Sequence, residues 1–153
     1  MDWYGSLKKY VWSEERTPYL VSPRKLTPAQ ARSEIFVYTL FLGILFAVVT
    51  VASAGAAIER GEFGALAATA YGASVLGAAI LLGWRKDARA ALFCLSAPVA
   101  VLLALFAGWL HPGLAGIDKA VILFIAVLWL AYAFRAMGVA RAYRDRSQAH
   151  EAG

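Results

Sequence analysis

The chain has 153 residues, 61% hydrophobic and only 16% charged, with a formal net charge of +5. A soluble domain averages about 45–50% apolar and about 25% charged residues, and a fold this small leaves too much surface exposed to hide the excess from water. The composition therefore argues against an ordinary water-soluble enzyme and points to lipid as the solvent.

The first 27 residues read as a cytoplasmic segment in two parts. On a helical wheel Trp3, Tyr4, Leu7, Tyr10 and Val11 share one stripe, with Asp2, Gly5, Ser6 and Lys9 opposite. That is the pattern of an amphipathic helix lying in the membrane interface, where aromatic rings with polar edges settle. Docking on a partner's cytoplasmic surface is the alternative. Thr17 to Pro23 carries two prolines, which disfavour helix and predict an extended arm. Its apolar residues Tyr19, Leu20 and Val21 are expected to dock on a partner.

The first span follows. After Glu34 there is no charge for 24 residues, Ile35 to Ile58. Thr27-Pro28-Ala29-Gln30 supplies an N-cap threonine, a proline at the first helical position and a glutamine able to close a capping box. A helix from Pro28 to Ile58 would be about 46 Å long at roughly 1.5 Å per residue, against a hydrocarbon core of about 30 Å. Gln30, Arg32 and Glu34 are thus expected to project, or the helix to tilt. Ala52-Ser53-Ala54 resembles a signal-cleavage pattern, but the 34-residue polar segment ahead of the apolar run is unlike a short basic leader.

Three further spans are expected at about 64–84, 90–110 and 117–138. In the second, Gly64, Ala68 and Gly72 recur at i+4, as do Ala65, Thr69, Ala73 and Gly77. Small residues let helices approach closely in lipid, so this helix is expected to sit centrally and touch at least two others. Pro98 removes a helical hydrogen bond within the third span and predicts a kink. The fourth span is bulky all round, from Val121 to Leu130, and suits lipid or a large partner surface.

The short connections make sequential neighbours antiparallel. The expected fold is all-α: a polytopic integral membrane protein with an antiparallel four-helix transmembrane bundle (28–140), an N-terminal interfacial amphipathic helix and extended cytoplasmic arm (1–27), and a basic cytoplasmic tail (141–153). With four spans, 13 of the 15 Lys and Arg residues fall on one side and two, Arg60 and Lys119, on the other. The positive-inside rule then puts both termini in the cytoplasm. Arg85, Lys86, Arg135 and Arg141 are expected at the membrane interface, meeting anionic phospholipid. The segments left outside the spans are too short for a folded nucleic-acid module, so no nucleic-acid partner is expected.

Chemistry is sparse. The spans carry no mid-membrane ionisable group of the kind that marks pumps and intramembrane enzymes. His111 and His150 are each alone, and Cys94 is the single cysteine. Ser53, Ser74 and Ser96 have no neighbouring base to activate them. No catalytic residue, metal or cofactor is expected; bound phospholipid is. The carboxylates of Glu14, Glu15 and Glu34 are expected to be solvated or paired with Arg16 and Arg32. These features, with the Ala- and Arg-rich composition, suggest a non-catalytic accessory or scaffold subunit of a bacterial inner-membrane complex, bound to other integral membrane subunits. The alternative is a small homo-oligomeric transporter or channel for a neutral or hydrophobic solute, with Thr50, Ser53, Thr69 and Ser74 as polar contacts.

Overall fold

A computed structural model describes residues 22–107, 113 and 115–151, without the side chains of 24 and 146–151. The described residues are 91% helical and contain no strand. The amphipathic stripe Trp3, Tyr4, Leu7, Tyr10 and Val11 and the arm residues Tyr19, Leu20 and Val21 lie outside the described residues, as does His111.

A short 3-10 turn, Pro23–Lys25, leads into α1, Pro28–Arg60. The capping box read from the sequence is present: the Thr27 hydroxyl accepts from the Gln30 amide at 3.3 Å, and the Gln30 side chain accepts from the Thr27 amide at 2.9 Å. Gly61 ends α1 in the left-handed conformation, φ 64°, donating its amide to the Ala57 carbonyl, the usual role of glycine just past a helix. Helix α2 spans Phe63–Arg85 and also ends left-handed, here at Lys86 with φ 50°. The lysine compensates for its strained backbone: its ammonium reaches back to the carbonyls of Gly83 (2.9 Å) and Trp84 (3.3 Å), where a helix C-terminus welcomes positive charge.

Two short helices follow, α3 at Ala88–Cys94 and α4 at Ser96–Phe106, separated at Leu95. The Asp87 carboxylate caps α3 through the Arg89 amide. The break at Leu95 falls one turn before Pro98, which has no N–H to give to Cys94. Helix α5 runs Gly116–Glu151, with the Asp118 carboxylate accepting from the Ala115 amide at 3.0 Å.

Among the described residues four stretches are long and apolar enough to cross a membrane: α1, α2, α3 with α4, and α5. This fits a multi-pass membrane protein. Large apolar side chains such as Phe36, Ile44, Val51, Leu81, Phe124 and Leu128 face outward, as they do when lipid rather than water surrounds a protein.

Helices α1 and α2 pack along each other more extensively than any other pair. Gly72 faces Thr50 and Gly83 faces Thr39, while Thr69 bonds Ser53. These contacts advance along α1 and retreat along α2 by equal steps. On its other side α1 meets α5 through Glu34 with Arg135, Tyr38 with Tyr132 and Phe41 with Trp129. Helix α3 packs on both α2 and α5, and α4 leans on α5.

Burial is concentrated at one end. On α1 the buried residues are Ala31, Glu34, Ile35, Tyr38, Leu42 and Phe46, a single stripe that stops just past the middle of the helix. On α2 they are Gly72, Val75, Ala78, Ala79 and Leu82, from near the middle of the helix toward its C-terminal end. On α5, Ala126, Ala133, Ala136, Val139 and Ala140 face inward. This corrects the reading of the fourth span as bulky all round. Ala126, Ala133 and Ala136 turn inward, so the helix approaches α1, α3 and α4 closely, while Phe124, Leu128 and Phe134 face out.

Candidate functional site

Three polar arrangements and one groove are the candidates. The first arrangement joins the first turns of α1 to the middle of α5. Arg135 donates from Nε to Glu34 Oε1 at 2.6 Å and from Nη2 to Oε2 at 3.1 Å. The Glu34 side chain is 1% exposed and the Arg135 side chain 19%. Glu34 is therefore neither solvated nor paired with Arg32, which corrects that expectation: its partner is Arg135. Glu34 lies on the inward stripe of α1 with Ala31, Ile35 and Tyr38, so its carboxylate turns into the protein. A guanidinium is the partner whose fork matches both oxygens. Nothing in the spacing of two residues 101 apart marks them as partners.

The second arrangement is a set of hydroxyls. Thr69 Oγ1 lies 3.0 Å from Ser53 Oγ across α1 and α2. Ser53 also bonds the Val49 carbonyl at 2.7 Å and Thr69 the Ala65 carbonyl at 2.8 Å. Ser74 bonds Ala70 O and Thr39 bonds Phe36 O. Ser96 donates to Phe93 O and lies 2.9 Å from the Tyr71 hydroxyl. Such back-bonding satisfies a hydroxyl in lipid and commits its proton to the backbone. Thr50 differs: its buried Oγ1 has no hydrogen-bond partner, and it lies against Gly72.

An aromatic cluster, missed in the sequence, forms the third arrangement. Tyr38 meets Tyr132 edge-on at 5.5 Å between ring centroids, and Phe41 meets Trp129 at 5.7 Å. Phe46 joins Trp129 and Tyr71. Edge-to-face pairs of this kind add stability beyond their buried area. The available signal was the i+3 spacing of Trp129 and Tyr132, which puts both rings on one face of α5.

The groove, about 460 Å³, lies on the outer side of the α1–α2 pair. Its floor includes Thr39, Gly43 and Ala47 from α1, and Ala79 and Gly83 from α2. Phe36, Leu40, Ile44, Ile80 and Trp84 form its walls. No side chain fills it because the facing positions are small.

The residues expected to pack helices divide as follows. Gly72 is buried; Ala65 and Thr69 are half-buried toward α1; Gly64, Ala68, Ala73 and Gly77 are exposed. The inward face of α2 is therefore set by Gly72, Val75, Ala79 and Leu82. Of the basic residues expected at an interface, Arg85 and Arg141 are exposed and Lys86 is half-buried over the end of α2. Cys94 is buried. Among the described residues no three His, Cys, Asp or Glu side chains gather in a way that could hold a metal.

No protein-family model matches the chain, and no curated protein and no solved structure matches it either.

Proposed function

We propose that this protein is a non-catalytic accessory or scaffold subunit of a bacterial inner-membrane complex. In this reading the four spans form an antiparallel bundle with both termini in the cytoplasm, and the outer faces of the helices pack against other integral membrane subunits and anionic phospholipid. The charge distribution supports the orientation, since cytoplasmic loops and tails collect Lys and Arg.

The observation that carries the role is the commitment to structure of the Glu34 carboxylate and of four hydroxyls within the spans. Glu34 is taken by Arg135. Ser53, Thr69 and Ser74 bond their own helices, and Ser96 bonds the Phe93 carbonyl at the end of α3. A solute pathway or an active site needs polar groups directed at a ligand; these are directed at the protein. The outward faces carry apolar surface outside the groove, including Leu66 and Leu81 on α2. Apolar and small residues side by side are what membrane helices use to pack on neighbours.

The test is gentle-detergent extraction of the tagged native protein, then a native gel and mass spectrometry of what accompanies it. Migration with a larger assembly at fixed ratio is the expected outcome. A chain that runs alone or only with copies of itself would remove the accessory role and make solute flux in liposomes the next measurement.

A further inference from the structure

We propose that the α1–α2 groove is a binding site for one acyl chain of an anionic phospholipid, with the lipid phosphate held at its mouth by Lys86 and Arg32. Three observations lead there. The first is length. The groove follows α1 from Phe36 to Ala47, about 16 Å at roughly 1.5 Å per residue. One leaflet of a hydrocarbon core about 30 Å thick is about 15 Å. The groove is thus as long as one leaflet's acyl region. The next positions on the two helix faces are the bulkier Val51 and Leu76, and the lining residues stop before them. A partner helix crossing the whole membrane would need a groove continuing past that point.

The second observation is charge at one end. The Lys86 ammonium sits on the carbonyl oxygens of Gly83 and Trp84, and both of those residues line the groove. An ammonium has three donors; these carbonyls take two, leaving one for a phosphate. Arg32 is exposed one turn before Phe36 on the groove face of α1. Two cations at the open end of an apolar channel complement an anionic headgroup above its own acyl chain.

The third is the wall at that end. Trp84 is 83% exposed and sits between the charged mouth and the apolar floor. An amphipathic indole settles at this depth of a bilayer. Lipid would also explain why Gly43 stays open: a Cβ added there meets nothing within 4 Å.

The site rests on the membrane-spanning reading but not on the accessory role. It is tested on the full chain in nanodiscs of phosphatidylglycerol and phosphatidylcholine at one to four, released for native mass spectrometry. The wild type should retain one phosphatidylglycerol in preference to phosphatidylcholine. Gly43→Leu adds a side chain at a groove position whose Cβ meets nothing within 4 Å and should abolish retention of that lipid. Arg32→Gln and Lys86→Gln should each lower the preference about fivefold, the size expected for one basic side chain near an anionic surface. Gly77→Leu, at an open position away from the groove, should retain lipid as the wild type does. Undiminished retention in Gly43→Leu would overturn the site, and so would a Gly43-dependent dimer in place of bound lipid. Failure of the chain to enter the disc would overturn the membrane reading itself, whereas entry without preferential retention overturns the lipid site alone.

Discussion

Arg135 grips both oxygens of Glu34, at 2.6 and 3.1 Å, and so ties the start of α1 to the latter half of α5. The two ions are not equally hidden: Glu34 is 1% exposed and Arg135 19%. Removing one partner of a buried pair leaves an uncompensated charge, which costs about 3–5 kcal/mol, while replacing both by apolar residues is often neutral. Arg135→Ala strands the deeper ion and should lie at the upper part of that range. Glu34→Ala strands the shallower one, which can turn toward headgroups, and should cost less. Glu34→Leu with Arg135→Met should recover most of the loss. Thermal unfolding in detergent reads all three, and equal losses from the two single variants would contradict the ranking.

Much of the architecture was legible because lipid imposes a coarse rule on sequence. A helix must stay apolar for about 20 residues to cross, and the runs after Glu34, Phe63 and Arg89 obey it. Local signals were equally readable: Thr27 and Gln30 form the capping box, and the helix breaks just before Pro98. Facing was harder. In a soluble helix polarity marks the outside; in a membrane helix both faces are apolar, so side-chain size is the remaining cue. On α2 size does not separate the faces: Gly72, Val75 and Leu82 are buried within the chain, while Gly64, Ala68 and Gly77 are exposed. The same cue hid the alanine face of α5. The Glu34–Arg135 pair and the groove depend on how separate helices meet, which no local pattern encodes.

Gly72 and Thr50 mark the closest approach of α1 and α2 that the glycines reveal. A Cβ at position 72 would lie 2.6 Å from Thr50 Oγ1. Threonine has few χ1 choices in a helix, so it cannot swing away freely. Gly72→Ala should therefore destabilise by about 1 kcal/mol, at the low end of overpacking costs. Adding Thr50→Ala should recover the loss, because it removes both the clash and a buried hydroxyl without a partner. Gly77→Ala, with open space around it, should lose nothing. Melting temperatures of the four chains decide the point: a Gly72→Ala chain as stable as the wild type would mean that the helices separate there at no cost.

Ser53 and Thr69 form a hydroxyl contact between α1 and α2, and each also bonds a carbonyl of its own helix. Interhelical hydrogen bonds in membranes average about 0.6 kcal/mol by double-mutant cycle. With both protons shared with the backbone, the coupling between Ser53→Ala and Thr69→Val should be no larger than about 0.6 kcal/mol. A cycle in unfolding free energy measures it. Coupling of several kcal/mol would mean that this pair is a principal clamp between the helices rather than one contact among many.

The orientation makes the final prediction, and the chain is well suited to checking it. Its single cysteine, Cys94, is buried, so the wild type should give little background with a membrane-impermeant thiol reagent. Glu62 lies between α1 and α2 and is exposed; it belongs to the side that carries only Arg60 and Lys119. Arg89 is exposed near the start of α3, on the side that collects the other basic residues. If both termini are cytoplasmic, intact cells should label Glu62→Cys and spare Arg89→Cys, and permeabilised cells should label both. The reverse pattern would invert the protein. It would also move the mouth of the α1–α2 groove, with Lys86 and Arg32, to the outer leaflet, where phosphate could still bind but the anionic surface of the cytoplasmic leaflet would not assist.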